Sequence, residues 1–156
     1  MFRKIFILII SLFALSSCGY TSIYSEQKYY DFSISNLELI GNSQINKNIE
    51  NNLTRFKKEK KETDYQIKIN SSLNKVTLAK NLKGTETDIN IIATINLEIT
   101  KNNNQETEKI SFSKDFAIKK TDSNYEQKNY EAIIINDLSK LLLDQFLEYL
   151  PKKENK

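Results

Sequence analysis

The 156-residue chain has no histidine and no tryptophan, one cysteine, one proline and three glycines. Without imidazole, every catalytic scheme that moves a proton through histidine is excluded, and so is histidine-ligated zinc. A single cysteine can form neither an internal disulfide nor a CxxC site. Any catalytic centre would have to be built from carboxylates, lysines or tyrosines. The carboxylates of Asp115 and Asp122 show no spacing that pairs them for acid–base work, so no enzymatic activity is expected. An excess of one charge is also missing: 23 basic residues face 20 acidic ones, for a net charge of +3. That balance does not suit a dedicated nucleic-acid binder. Asparagine, lysine and isoleucine are abundant, which reads in part as a biased genome. Apolar residues still make up 39%, and many recur periodically, so one packed domain is expected.

The one long apolar run stands at the start. Arg3 and Lys4 precede Ile5 to Leu15, which are almost wholly apolar, and Ser16, Ser17 and Cys18 follow. This is the charged, hydrophobic and small-residue order of a secretory signal. The run is about half the roughly twenty residues a spanning helix needs, so a permanent transmembrane anchor is not expected. Leu15-Ser16-Ser17-Cys18 looks like a bacterial lipobox. By that likeness diacylglycerol joins the Cys18 sulfur, cleavage falls after Ser17, and the new amino group takes an acyl chain such as palmitate. No other cofactor is expected. Several acyl chains at one residue give firm attachment, at about 0.8 kcal/mol per buried methylene. Gly19, where an aspartate would favour inner-membrane retention, points to the outer membrane. The organisation read from the sequence is a signal peptide over 1–17, a lipidated tether over 18–30, one domain over 31–150 and a polar tail over 151–156.

Within the domain, Phe32 and Ile34 alternate, then Leu37 and Leu39 alternate in the opposite phase, which predicts a strand with a bulge near Ser35-Asn36. Gly41-Asn42-Ser43 reads as a turn and helix cap. Ile45, Ile49, Leu53 and Phe56 follow at helical spacing, and Arg55, Lys57, Lys58, Lys60 and Lys61 crowd the end of that helix. Tyr65, Ile67, Ile69 and Leu73 predict a strand, with Val76 and Leu78 changing phase. Asn81 to Gly84 is a turn. Ile89, Ile91, Ala93, Ile95, Leu97 and Ile99 fall on every second residue, predicting a long strand with one dry face. After an asparagine turn, Ile110, Phe112, Phe116 and Ile118 mark a further strand. Tyr130, Ile133, Ile134, Leu138, Leu141, Leu142, Phe146, Tyr149 and Leu150 predict the apolar face of a long helix that stops at Pro151. The expected fold is α+β, a two-layer sandwich: a mainly antiparallel sheet of about four strands covered by two helices, in the order β-α-β-β-β-α.

Cys18-Gly19-Tyr20, with Ile23-Tyr24 close behind and the later helix "SNYEQKNYEAIIINDLSKLLLDQFLEYL", resembles the LPS-assembly lipoprotein LptE (RlpB) family of the alphaproteobacterial type. The resemblance implies a lipoprotein that plugs and helps assemble the outer-membrane β-barrel LptD and delivers lipopolysaccharide to the outer leaflet, without catalysis. It implies LptD and lipopolysaccharide as partners, and a place on the periplasmic side or in the barrel lumen. The alternative is a periplasm-facing binding module for lipid or envelope ligands that belongs to no barrel and has a closed apolar pocket. Candidate barrel or lipopolysaccharide contacts are Lys75, Lys80 and Lys83 around the hairpin turn, and Lys57, Lys58, Lys60 and Lys61 at the first helix end, as cations that could meet phosphate. The plainer reading of each set is a solvated face. Tyr20, Tyr24, Tyr29 and Tyr30 would suit a membrane interface or the packing of the tether on the sheet.

Overall fold

The structure is a computed structural model that describes residues 31–57, 60–101 and 106–152, with residues 151 and 152 described by their backbone alone. The signal peptide, Cys18, the tether tyrosines, Lys58 and the end of the polar tail lie outside the described residues. The elements run β1 (Phe32–Gly41), α1 (Ser43–Leu53), β2 (Thr63–Lys80), β3 (Glu86–Lys101), β4 (Thr107–Lys119) and α2 (Asn124–Lys152). This is the expected order. The sheet order is β1-β2-β3-β4, with β2, β3 and β4 an antiparallel meander. β1 joins β2 in parallel, as the helical crossover between them requires.

β1 carries the irregularity that its phase change predicts. Its register against β2 slips between Ile34 and Asn36, so Phe32, Ile34, Leu37 and Leu39 all reach the same face. Gly41 ends the strand at φ +100°, and a Cβ there would stand 1.9 Å from the Ser71 carbonyl oxygen. Only glycine fits both conditions. Asn42 then caps α1, its Oδ1 accepting from the backbone N–H of Gln44 and Ile45, each at 3.1 Å. Ile45, Ile49 and Leu53 are buried as one stripe, and a single 3-10 turn over Thr54–Lys57 adds Phe56 to it. Phe56 stacks on Phe32 at 4.8 Å, Tyr65 meets Phe32 edge-on at 5.7 Å, and Arg55 covers the far side of Phe56. This aromatic cluster closes one end of the sandwich. Arg55 and Lys57 therefore belong to the 3-10 turn rather than to the last turn of α1.

β3 keeps strict alternation along its whole length. Ile89 through Ile99 are buried at every second position, and the intervening residues face water. α1 and α2 lie side by side over the dry face, tied by the Gln44 amide donating to the Ala132 carbonyl at 3.2 Å. Ser71 is a buried hydroxyl of β2 in that face. It donates to Asn46 at 2.7 Å and lies 3.3 Å from the carbonyls of Ile40 and Asn42, so its burial is satisfied. The opposite face has no covering layer among the described residues and is largely polar. Thr94 bonds Ser113 and Thr100 bonds Thr107, each at 2.9 Å, while Asn90 donates to Asp115 at 3.0 Å.

α2 differs from its expected packing. Ile134, Leu138, Leu142, Phe146 and Leu150 are buried as predicted, but Tyr130, Ile133 and Leu141 are exposed, and Ile135, Leu143 and Leu147 are buried in their place. The helix packs against both α1 and the sheet, so it buries a wider and rotated sector. It also continues through Pro151 to Lys152.

Candidate functional site

β1 ends opposite Ser71, whereas β2 runs on to Lys80. The β2–β3 hairpin therefore projects past the first strand. Its four-residue turn is fixed almost entirely by Asn81. The Asn81 backbone N–H donates to the Thr85 carbonyl, and its carbonyl accepts from Gly84, both at 2.9 Å. Its side-chain Oδ1 accepts from the N–H groups of Lys83 at 2.9 Å and Thr85 at 3.0 Å. Gly84 supplies the φ of +80° that closes the turn. The result is a rigid tip with Leu82 at its apex, as exposed as a side chain can be at 108%.

The strand leading to the tip carries its apolar residues on the uncovered face. β2 holds register with β3 as far as Thr77, so Val76 does not reach the dry face through a slip, and Leu78 is the unpaired residue at the shift that follows. They are about half exposed instead, on the side where the sheet has no second layer. The register breaks only beyond Thr77, close to the turn. Phe116, Tyr125, Tyr130 and Ile133 are also exposed, and α2 starts from this same end, after β4 has paired its Lys119 with Asp88. Most of the exposed large apolar side chains among the described residues thus gather at the hairpin end.

The lysines there differ in their engagement. Lys75, on the helix-facing side of β2, is ion-paired with Glu131 of α2. Glu131 is mostly buried and also accepts from the Gln127 amide at 2.8 Å, while Gln127 accepts from the Thr121 N–H at 2.9 Å. Burial is the largest single influence on the Glu131 carboxyl and pushes it up. The Gln127 and Lys75 hydrogen bonds and the Lys75 charge together outweigh it, so the group lies below the usual carboxylate range. Glu86 is held low as well, first by the Thr77 hydroxyl and then by Lys120 at 3.0 Å. Lys80 and Lys83 are exposed and have no ion pair among the described residues. Of the sequence candidates, Lys75 therefore serves the β2–α2 joint, and Lys80 and Lys83 flank the tip.

The second set is separate. Lys57 and Lys60 are exposed and Lys61 is half-exposed, 3.8 Å from Asp31, at the far end of β2. Roughly 55 Å of strand lies between them and the tip, so the two lysine groups do not form one site. The sequence reading overlooked Glu131 and Gln127. Their signal was two polar residues four apart on the inward side of an amphipathic helix, opposite a lysine that breaks the apolar alternation of β2.

A groove of about 490 Å³ opens between β1 and α1, over Leu37 and Leu39, and a smaller one of about 170 Å³ lies on the polar face beside Glu38 and Lys68. Both are open to solvent and neither is a closed apolar pocket. Among the described residues no group of three or more carboxylate, cysteine or histidine side chains is placed to hold a metal ion, and no helix is long and apolar enough to cross a membrane.

No protein-family model and no curated protein matches the chain. Solved structures do match its fold. Rare lipoprotein B from Shewanella oneidensis superposes with a TM-score of 0.55 at 12% identity, covering 76% of this chain and 96% of that one. A minor lipoprotein from Acinetobacter baumannii superposes with a TM-score of 0.50 at 16% identity, covering 77% and 94%. At these identities the likeness establishes a shared fold.

Proposed function

We propose that the protein is an envelope lipoprotein of the LptE (RlpB) type, anchored to the outer membrane through Cys18, that seats in the lumen of the LptD β-barrel and helps deliver lipopolysaccharide to the outer leaflet. The observation that carries this reading is the coincidence of a lipobox with a fold that covers nearly all of the rare lipoprotein B chain. Its surface chemistry is compatible. A water-filled lumen suits a plug whose uncovered sheet face is a ladder of hydroxyls and amides, with charged pairs such as Lys109–Glu98 at 2.9 Å. Lys80 and Lys83 are free to meet the phosphates of a glycolipid. The body acts by packing and by contact; no catalytic step is assigned to it.

The test is extraction of the membranes in mild detergent, with a tag at the C-terminus of the full chain. A large β-barrel protein should be recovered with it, and depletion should leave lipopolysaccharide in the periplasm. Recovery of the protein alone, from cells with normal surface lipopolysaccharide, would refute the proposal. Cys18→Ala should release the protein from the membrane fraction.

A further inference from the structure

The exposed apex of the hairpin is not explained by the fold. Leu82 touches no core, yet four hydrogen bonds converging on Asn81 and Gly84 hold it in one place. Behind it, Val76 and Leu78 lie on the uncovered face of β2 and are half exposed. Around it the charge is positive. Lys80 and Lys83 flank it, while Lys75 is committed to Glu131 and Glu86 is occupied by Thr77 and Lys120. An apolar apex with cations on both sides, on a strand pair that cannot fold back over it, has the chemistry of an interfacial element.

We infer that the tip of the β2–β3 hairpin docks on the surface of an anionic phospholipid bilayer, with Leu82 entering the headgroup–acyl boundary and Lys80 and Lys83 among the phosphates. Charge complementarity selects this occupant: a second copy of the chain would bring the same lysines face to face, while an anionic lipid surface attracts both. Each lysine close to such a surface is worth about a five-fold change in occupancy. The rigid turn means that little ordering is lost on contact. The inference stands apart from the barrel assembly, since it concerns the chain outside the barrel, where the tip can reach phospholipid, and requires no lipopolysaccharide.

The experiment places an environment-sensitive fluorophore at Leu82→Cys in the full chain carrying Cys18→Ser. The same label at Thr94→Cys, in the middle of the polar face, is the reference. Both proteins are mixed with vesicles of phosphatidylglycerol and phosphatidylcholine, or of phosphatidylcholine alone, with no lipopolysaccharide present. The Leu82 label should shift to the blue and be quenched by shallow nitroxide lipids on the anionic vesicles only, while the Thr94 label stays wet. Lys80→Gln with Lys83→Gln should lower the inserted fraction about 25-fold at low salt. The inference is overturned if the two labels respond alike, or if insertion is as strong on phosphatidylcholine. It is also overturned if the Leu82 label dries without vesicles as protein concentration rises, which would mean that a second copy covers the tip. Because the readout is local to residue 82, attachment through the N-terminal segment cannot imitate it.

Discussion

β2 and β3 run side by side for nearly their whole length, but they obey different rules. β3 has a strand on each side and helix cover over one face, and from Ile89 to Ile99 its buried residues fall on every second position without a break, with Ile92 the one apolar side chain on the other face. β2 has the same surroundings only as far as Ser71, where β1 stops. Beyond that point it is an edge strand, and its pattern inverts: Lys75 and Thr77 turn toward the helices while Val76 and Leu78 turn toward water. The apolar pattern of a strand therefore follows the layers that cover it, residue by residue. The covered half stabilises the fold, and the projecting half is free to carry other chemistry.

The comparison can be broken by mutation. Phe146 is fully buried beneath the meander, and Phe146→Ala should cost about 3–5 kcal/mol, read by urea unfolding. Gly41→Ala tests where the two regimes meet. Its Cβ has no room beside Ser71, and a loss of about 2 kcal/mol is expected, with faster hydrogen exchange in β1 and α1. At the hairpin root, Glu131→Gln should cost about 0.5–1 kcal/mol at neutral pH, because its partner Lys75 is half exposed. The folded-state carboxyl is held below its ordinary value of 4.5. Its contribution is thus fully present above that value and lost as pH falls through the lowered one. Melting curves of the two proteins should converge in acid, and a gap that persists there would deny the ion pair its role. Smallest of all, Leu82→Ser should change stability by no more than about 0.5 kcal/mol. A larger loss would show that the tip belongs to the core after all.

Much of this was legible in the sequence because burial was one-sided. The phase change from Phe32 and Ile34 to Leu37 and Leu39 located the bulge, since a sheet covered on one face tolerates apolar residues there alone. Ile45, Ile49 and Leu53 located α1 for the same reason. α2 resisted because it touches two layers. With apolar residues at most positions from Ile133 to Leu143, several rotations of the helix satisfy the periodicity, and only the position of α1 chooses among them. Val76 and Leu78 were legible as a phase change, but such a change has two causes, a slipped register or a switched face, and local sequence does not separate them. The lysines of the candidate site could be found by composition. Their division between opposite ends of one strand, and the commitment of Lys75 to Glu131, needed the strand register. The tyrosine-raising contact at the other helix end, where the Tyr149 hydroxyl donates to Glu108 and its pKa is pushed up to about 12, joins residues 41 apart and left no local trace.

The parallel docking of β1 on β2 has a mechanical consequence. The chain enters the fold at Asp31, directly ahead of Phe32, and the ladder runs from there to Gly41. A pull on the residues ahead of Phe32, drawn back along the strand, loads that ladder in shear, so its hydrogen bonds resist together. The same force applied crosswise at Gly41 would unzip them in turn. The body thus resists most firmly a pull directed along the axis of β1.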